Sequence, residues 1–536
     1  MTANSKIDSN ITGLSYAEEA SMKTLPGVDG ADAVWVPLEP NSYNDFGGNL
    51  TTIARNPINP SRQRKKGVVT DLDAAGGFQT DFTQENLQDL LQGFFFADLR
   101  RKGECKNAIG DDTITISATD TTDVFTRVGG TVAMNAQFAV GDLVFVAGFS
   151  NSANNGLFKV VSADATTIGV VLADGAETAA NLITEAATAN ASIVQVGFET
   201  AEGDLDVDMT GSRPALTSTS LDFTDLGLIV GEFIFIGGDQ TATKFGTAVN
   251  NGFARVRSIA AGRLEFDKTQ NTMSTEANTT LYVQIFFGRV IKNELAASIV
   301  RRSYQLERQL GKADDTDDEV QAEYLTGAVP NELTLNIASA DKVTADLAFV
   351  ATDHEQRPSG DGTGGTGPKA GTRVSLVESD AFNTSSDFSR IKLAVHAEDD
   401  ACPTALFAFA TDISLTINNN ISPNKAIGVL GAFDVTAGTF QVGGNITAYF
   451  ADIAAVTAVR NNSDITLDAH LVKSNAGISI DLPLITLGDG RANVEQDSPI
   501  TLPLSKEAAT GAKISSDLDH TLLMCFYDYL PSLADV

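Results

Sequence analysis

The sequence predicts a mainly β protein, with sandwich or barrel domains, a packing helix and two small inserted β-barrel-like modules. Three observations carry that expectation. Short runs of alternating apolar and polar residues bounded by Gly and Asn recur along most of the 536 residues. A single segment has clear helical spacing, and one strand-turn-strand pattern occurs twice. At about 150 residues per domain the length leaves room for three or four units. A composition that is 43% hydrophobic suffices for soluble cores.

Charge and cysteine content exclude several function classes. Lys and Arg number 37 against 69 Asp and Glu, a net charge of −32 that should repel nucleic-acid phosphates, so a sequence-reading DNA binder is disfavoured. Cys105, Cys402 and Cys525 are too scattered for a disulfide scaffold or a cysteine zinc site, and a reducing compartment fits them. No apolar run approaches 18 residues and MTANSKIDSNITG lacks signal-peptide character, so the expectation is a chain made in the cytoplasm without membrane insertion.

Taken in chain order, the first marked feature is Asn56 to Lys66, NPINPSRQRKK. Its Arg62, Arg64, Lys65 and Lys66 stand out in an acidic chain and predict a subunit-contact loop meeting an acidic neighbour, with phosphate binding and a solvated face as the alternatives. Residues 81 to 94, DFTQENLQDLLQGF, place Leu87, Leu90, Leu91 and Phe94 on one helical face, with Thr83 as cap and Gly93 near the stop. That face is expected to pack across a sheet.

The repeat follows. VGDLVFVAG (Val140 to Gly148) and NNGLFKV (Asn154 to Val160) recur as VGEFIFIGG (Val230 to Gly238) and NNGFARV (Asn250 to Val256), with six extra residues in the second connection. Asn155-Gly156 and Asn251-Gly252 supply the left-handed positions that tight turns favour. Gly148 and Gly237 are expected at bulges or turns, and Phe145, Phe158, Phe233 and Phe253 in cores. Each copy reads as a small closed β module without the aromatic and basic interleaving of a nucleic-acid binder.

Beyond the modules the strand vocabulary continues at Ser303 to Leu310, Glu332 to Phe349, Asp412 to Asn420, Thr439 to Phe450, Asp464 to Leu471, Gly477 to Leu482 and Leu522 to Leu530. Ala313 to Glu319 reads as a charged loop and Gly360 to Gly367 as a flexible one, without the lysine of a phosphate cradle. His354, His396, His470 and His520 have no metal-ligand spacing and are expected at solvated loops or strand ends. No nucleophile elbow or dinucleotide fingerprint is present, so no catalytic residue, metal or cofactor is predicted.

A fainter duplication links the flanks. NPINP and AGGFQTDF can be laid against NNNISP and AGTFQVGG, pairing Phe78 with Phe440. A weaker helical pattern at Ile453, Val456 and Val459 then matches the Leu87 helix. Four regions follow: 1–107 as the first region of the outer β body, 108–200 and 201–290 as the module copies, and 291–536 as the continuation of that body with a second domain.

Ordered short motifs give the flanks a family likeness. Ser15 to Ala20 (SYAEEA), Trp35 to Ser42 (WVPLEPNS), the Arg62 to Lys66 loop and Leu87 to Phe96 open the series. Ser303 to Leu310, Glu332 to Ile337, Val343 to Asp353, Ile413 to Ile421 and Phe440 to Phe450 complete it. In this order they resemble the tail tube proteins of long-tailed bacteriophages, over about residues 1–105 and 290–536, with the module pair as a departure. The resemblance implies a structural virion protein, assembled in the host cytoplasm with itself and other tail proteins, whose stacked rings enclose a channel. Double-stranded DNA would be nonspecific cargo there, and a trimeric ring of duplicated domains is favoured over a hexameric one. A tail-tip or surface receptor-binding protein is the alternative.

Overall fold

The computed structural model describes residues 12–58, 60, 63–107, 114–311, 321–357, 367–376 and 379–535. Arg62, the Ala313 to Glu319 segment and most of Gly360 to Gly367 lie outside them. The chain divides into two units, Met1–Ala97 with Ser298–Ala381 and Asp412–Gly444, and Asp98–Ala297 with Phe382–Thr411 and Asn445–Val536. Both are mainly β, as the alternation predicted.

In the first unit the strand Gln321–Ala338 is the axis. Its first half pairs with Tyr304–Gly311 and Asp353–Arg357, and its second half with Thr344–Ala351 and the end of Ala410–Asn418. Lys65–Asp81 joins Thr344–Ala351, and Pro40–Arg55 joins Lys65–Asp81, which gives a five-stranded run. Because side chains alternate across a strand, Leu333, Leu335, Leu347, Phe78, Leu415 and Ile417 fall on one face and are buried. Phe349 on that face stacks on Phe78 and meets Phe94 of the helix edge-on at 5.4 Å.

The helix spans Gln88–Phe95, shorter than its sequence pattern, and Leu87, Leu90, Leu91 and Phe94 are all buried. Thr83 is not its cap. Thr83 and Asn86 instead bond each other's backbone N–H groups in a turn that ends before the helix begins. Nor is Gly93 the stop: the chain leaves the helix at Phe96, which is left-handed at φ 50°. Gly93 lies inside, where a Cβ would stand 2.7 Å from Tyr304 and 2.8 Å from Pro330, so its role is close packing.

The second unit repeats this connectivity. In the first, Lys65–Asp81 is followed by the helix and then by Tyr304–Gly311, Gln321–Ala338, Thr344–Ala351 and Asp353–Arg357. In the second, Gln441–Tyr449 is followed by a helix, Ala454–Arg460, and then by Ile465–Lys473, Ala476–Asp489, Thr501–Ala509 and Leu523–Tyr527. In each, the second of the four strands after the helix pairs with the other three, and the third returns to the strand before the helix. Gly13–Glu18 and Phe388–Val395 pair with the first of those strands in their respective units.

The residue alignment read from sequence is displaced within this correspondence. Phe78 lies inside its strand and is fully buried, whereas Phe440 precedes its strand and is half-buried. The second helix is real, but it buries Ala455 and Ala458 and leaves Ile453 70% exposed. Small residues bring that short helix close to its sheet, so the larger apolar positions are not its packing face.

The modules belong to the second unit and form one sheet. Asp142–Ala147, Gly156–Ala163, Thr167–Leu172 and Ser192–Glu199 correspond to Phe233–Ile236, Gly252–Ala260, Arg263–Thr269 and Gln284–Phe286. The two copies meet antiparallel through their last strands, with Gly197 opposite Phe286. Each has its own apolar core, around Phe125, Phe158 and Ile193 in one and Phe223, Ile234 and Phe266 in the other.

Candidate assembly surfaces and module junction

The first candidate surface is the ribbon formed by Pro40–Arg55 and Lys65–Asp81. The pairing of Lys65–Asp81 with Thr344–Ala351 ends at Ala74, while the ribbon continues through Leu50↔Leu72, Ile53↔Val68 and Arg55↔Lys65. At about 3.3 Å per residue the continuation is roughly 25 Å of two-stranded sheet. Such a ribbon is marginal alone, and this one exposes Leu50, Ile53, Val68 and Val69, each by about half. Arg64, Lys65 and Lys66 are exposed at its end, with Lys65 and Lys66 already in the strand and not in a loop. Its base is anchored by Lys425, whose Nζ lies 2.5 Å from both Asp71 and Asp73. Lys425 belongs to the hairpin Ser422–Lys425 and Ala432–Thr436, which exposes Ile427, Val429, Leu430 and Phe433.

The module turns use side chains where the sequence suggested backbone conformation. Asn155 and Asn251 are extended, at φ −107° and −102°, and only the glycines after them have positive φ. Asn155 accepts from the Phe149 N–H and donates to the Phe149 carbonyl; Asn251 does the same with Phe245. Asn154 and Asn250, both buried, donate to Glu185 and Glu276, which also accept backbone N–H groups from the same turns. A carboxylate and two amides therefore replace the expected left-handed asparagine in both copies. Gly148 and Gly237 have positive φ, and a Cβ on Gly148 would stand 1.9 Å from the Asn190 carbonyl.

Beneath the modules lies a junction that sequence reading missed. Phe233, Phe235, Phe253 and Phe286 pack with Val472, Leu523, Cys525 and Tyr527 in one core. Phe145, expected in a module core, packs at its edge against Tyr529, with ring centroids 5.4 Å apart. Next to this core Arg255 makes two bonds to Asp267, at 2.8 and 2.9 Å, and two to Asp481, at 3.0 and 3.1 Å. Lys268 lies 2.9 Å from Asp481 and 3.5 Å from Asp468, and Arg390 lies 3.0 Å from Asp468.

Arg255, Lys268 and Arg390 thus face three carboxylates, all of them buried except Arg390, and Arg257 spans from Asp267, at 3.9 Å, to the exposed Asp517, at 3.7 Å. Burial pushes the Asp481 and Asp468 carboxyls upward, but the neighbouring cations outweigh it and hold both far below the usual range. His470 and His520 are fully buried here, not solvated at loops or strand ends. His470 bonds Ser479 at 2.7 Å and stacks on Phe253; His520 lies 3.6 Å from Asp481. Burial lowers the affinity of both rings for a proton, which fits a site whose charges already cancel. The available signal was charge inside apolar alternation, as in LDAHLV and ISIDLPL.

Among the described residues no group of three or more His, Cys, Asp and Glu is arranged to hold a metal ion, and no helix is long and apolar enough to cross a membrane. No curated protein matches the chain. The sequence model of the phage tail tube protein family matches residues 9–508, across both units and the modules between their segments. That family is a structural one whose members are components of the virion tail and assemble with themselves and with other tail proteins. The chain belongs to the phage tail tube protein family.

Proposed function

We propose that this chain polymerises as stacked rings around a channel that conducts double-stranded DNA during infection, and that three chains make one ring. The observation that supports this best is the repeated connectivity of the two units, in which strand, helix and four further strands recur with the same pairings. A chain with two such units supplies two ring positions, so three chains supply six. Closure of the sheets into a ring also removes strand edges that would otherwise invite indiscriminate pairing.

Rings joined along the axis need an axial contact, and the ribbon fits it: an apolar shaft with Arg64, Lys65 and Lys66 at its end, on a chain of net charge −32. We assign the modules to a fixed elaboration of the second unit that spaces or displays surface outside the wall. The test is electron microscopy of purified protein, where long hollow polymers are expected and compact particles confined to tail tips would favour the receptor-binding alternative. Arg64→Glu with Lys65→Glu and Lys66→Glu should leave the subunit folded and lower polymer yield, more so at low salt.

A further inference from the structure

The strands Ala410–Asn418 and Gln441–Tyr449, which precede the second helix, are joined through the hairpin Ser422–Lys425 and Ala432–Thr436. In chain order it holds the place that the ribbon holds before the first helix. Its tip, Ala426 to Gly431, reads AIGVLG, and no charge stands between Lys425 and Asp434. Gly428 and Gly431 turn the chain there at positive φ, and a Cβ on Gly428 would meet nothing within 4 Å. Ile427 is 107% exposed, and Val429, Leu430 and Phe433 are each exposed by about half. Single apolar residues scattered over a surface need no explanation, but four on one tip mark a contact.

At the base of the same hairpin the first unit has a cavity of about 280 Å³, with Met22, Phe96, Val300, Val329, Ile421 and Val435 in its lining. Phe96, Val329, Ile421 and Val435 form one buried cluster, and the Val300 N–H donates to the Phe96 carbonyl at 2.8 Å. Polar groups of the lining already serve one another. Glu19 accepts the N–H groups of Lys23 and Gly327, both at 2.9 Å, and the Ser303 hydroxyl at 2.5 Å. Arg302 lies 3.2 Å from Glu18 and donates to the Ala97 carbonyl at 3.0 Å, while Arg301 and Asp434 add one charge of each sign. An apolar cavity of about 150 Å³ holds a benzene ring, so this one has room for an isoleucine side chain, and its chemistry asks for an apolar guest and not an ion.

We propose that Ile427 of one chain seats in this cavity of a second copy in the adjoining ring, an inference that rests on the tube reading above. The partner is a second copy because the knob stands at the tip of a hairpin and the hole at its base. A tip-to-base contact is heterologous, so its repetition adds copies in line without closing on itself. The hairpin is also continuous with the ribbon assigned to the axial contact, since Lys425 binds Asp71 and Asp73 there. The two contacts differ in kind. The ribbon ends in cations, whereas the tip carries no charge, so its seating is little affected by salt on a chain of net charge −32.

The test joins knob and hole covalently. A chain with Ile427→Cys, Val300→Cys and Cys402→Ser would be assembled into tubes, oxidised with copper phenanthroline and run on a non-reducing gel. A ladder of linked chains is expected only when both new cysteines are present. Assembled tubes that give no ladder, or links confined within single chains, would overturn the proposal. Independently, Ile427→Asp at this fully exposed position should leave the melting temperature unchanged and lower polymer yield about tenfold at low and high salt alike. Polymer at the wild-type yield would overturn the seating of Ile427 while leaving the tube intact, and failure of the wild-type chain to polymerise would overturn the tube reading itself.

Discussion

Arg255→Met removes the central cation of the buried junction while roughly conserving side-chain length. The guanidinium makes four hydrogen bonds to Asp267 and Asp481, and all three groups are buried. Loss of one partner from such a group leaves uncompensated buried charge, at a cost of about 3–5 kcal/mol. The second unit holds roughly 320 residues, and at about 2.1 cal/mol/K of unfolding entropy per residue its melting temperature should fall by about 4–7 °C.

Calorimetry should show that fall at pH 7.5. Adding Asp481→Asn to Arg255→Met restores the charge balance and should recover about 1–3 kcal/mol. A single-variant loss under about 1 kcal/mol, or a double variant with no recovery, would refute the view that balanced buried charge secures the module junction.

Other outcomes follow from the same structure. Burial raises the Glu232 carboxyl from 4.5 to about 7, with Lys102 opposing. The native state therefore binds more protons than the unfolded one across that window, and stability falls as pH rises through it, by about 3 kcal/mol in total; Glu232→Gln should flatten this part of the pH profile in chemical denaturation. Gly93→Val should cost about 1–3 kcal/mol or more through overpacking against Tyr304 and Pro330, whereas a Gly93→Val variant of wild-type stability would contradict the close approach. Asn155→Ala and Asn251→Ala should each cost about 1–3 kcal/mol, since both strand the same turn amides and carbonyls, and unequal losses in urea unfolding would show that the repeated turns are not energetically equivalent.

The mainly β class, the Leu87 helix face and the module repeat were legible because each is written in local periodicity. Leu87, Leu90, Leu91 and Phe94 recur at helical spacing, and NNGLFKV and NNGFARV are nearly the same words. What escaped was set by tertiary partners. Asn155 and Asn251 promised left-handed backbone, yet their side chains reach Phe149 and Phe245 and leave the asparagines extended. His470 and His520 looked solvated because their partners are remote in sequence: strand pairing sets Ser479 opposite His470, and Asp481 comes within 3.6 Å of His520 just before the last strand. Gly93 resembled a stop signal until Tyr304, 211 residues away in sequence, filled the space beside it. The duplication of the units survives in connectivity more clearly than in residues, because each helix packs with side chains of a different size.

Reconstruction of an assembled tube, with the chains in one ring counted, tests the central claim most directly. Three chains should encircle the channel, each supplying two ring positions with its two units. Six chains around the channel would contradict the account.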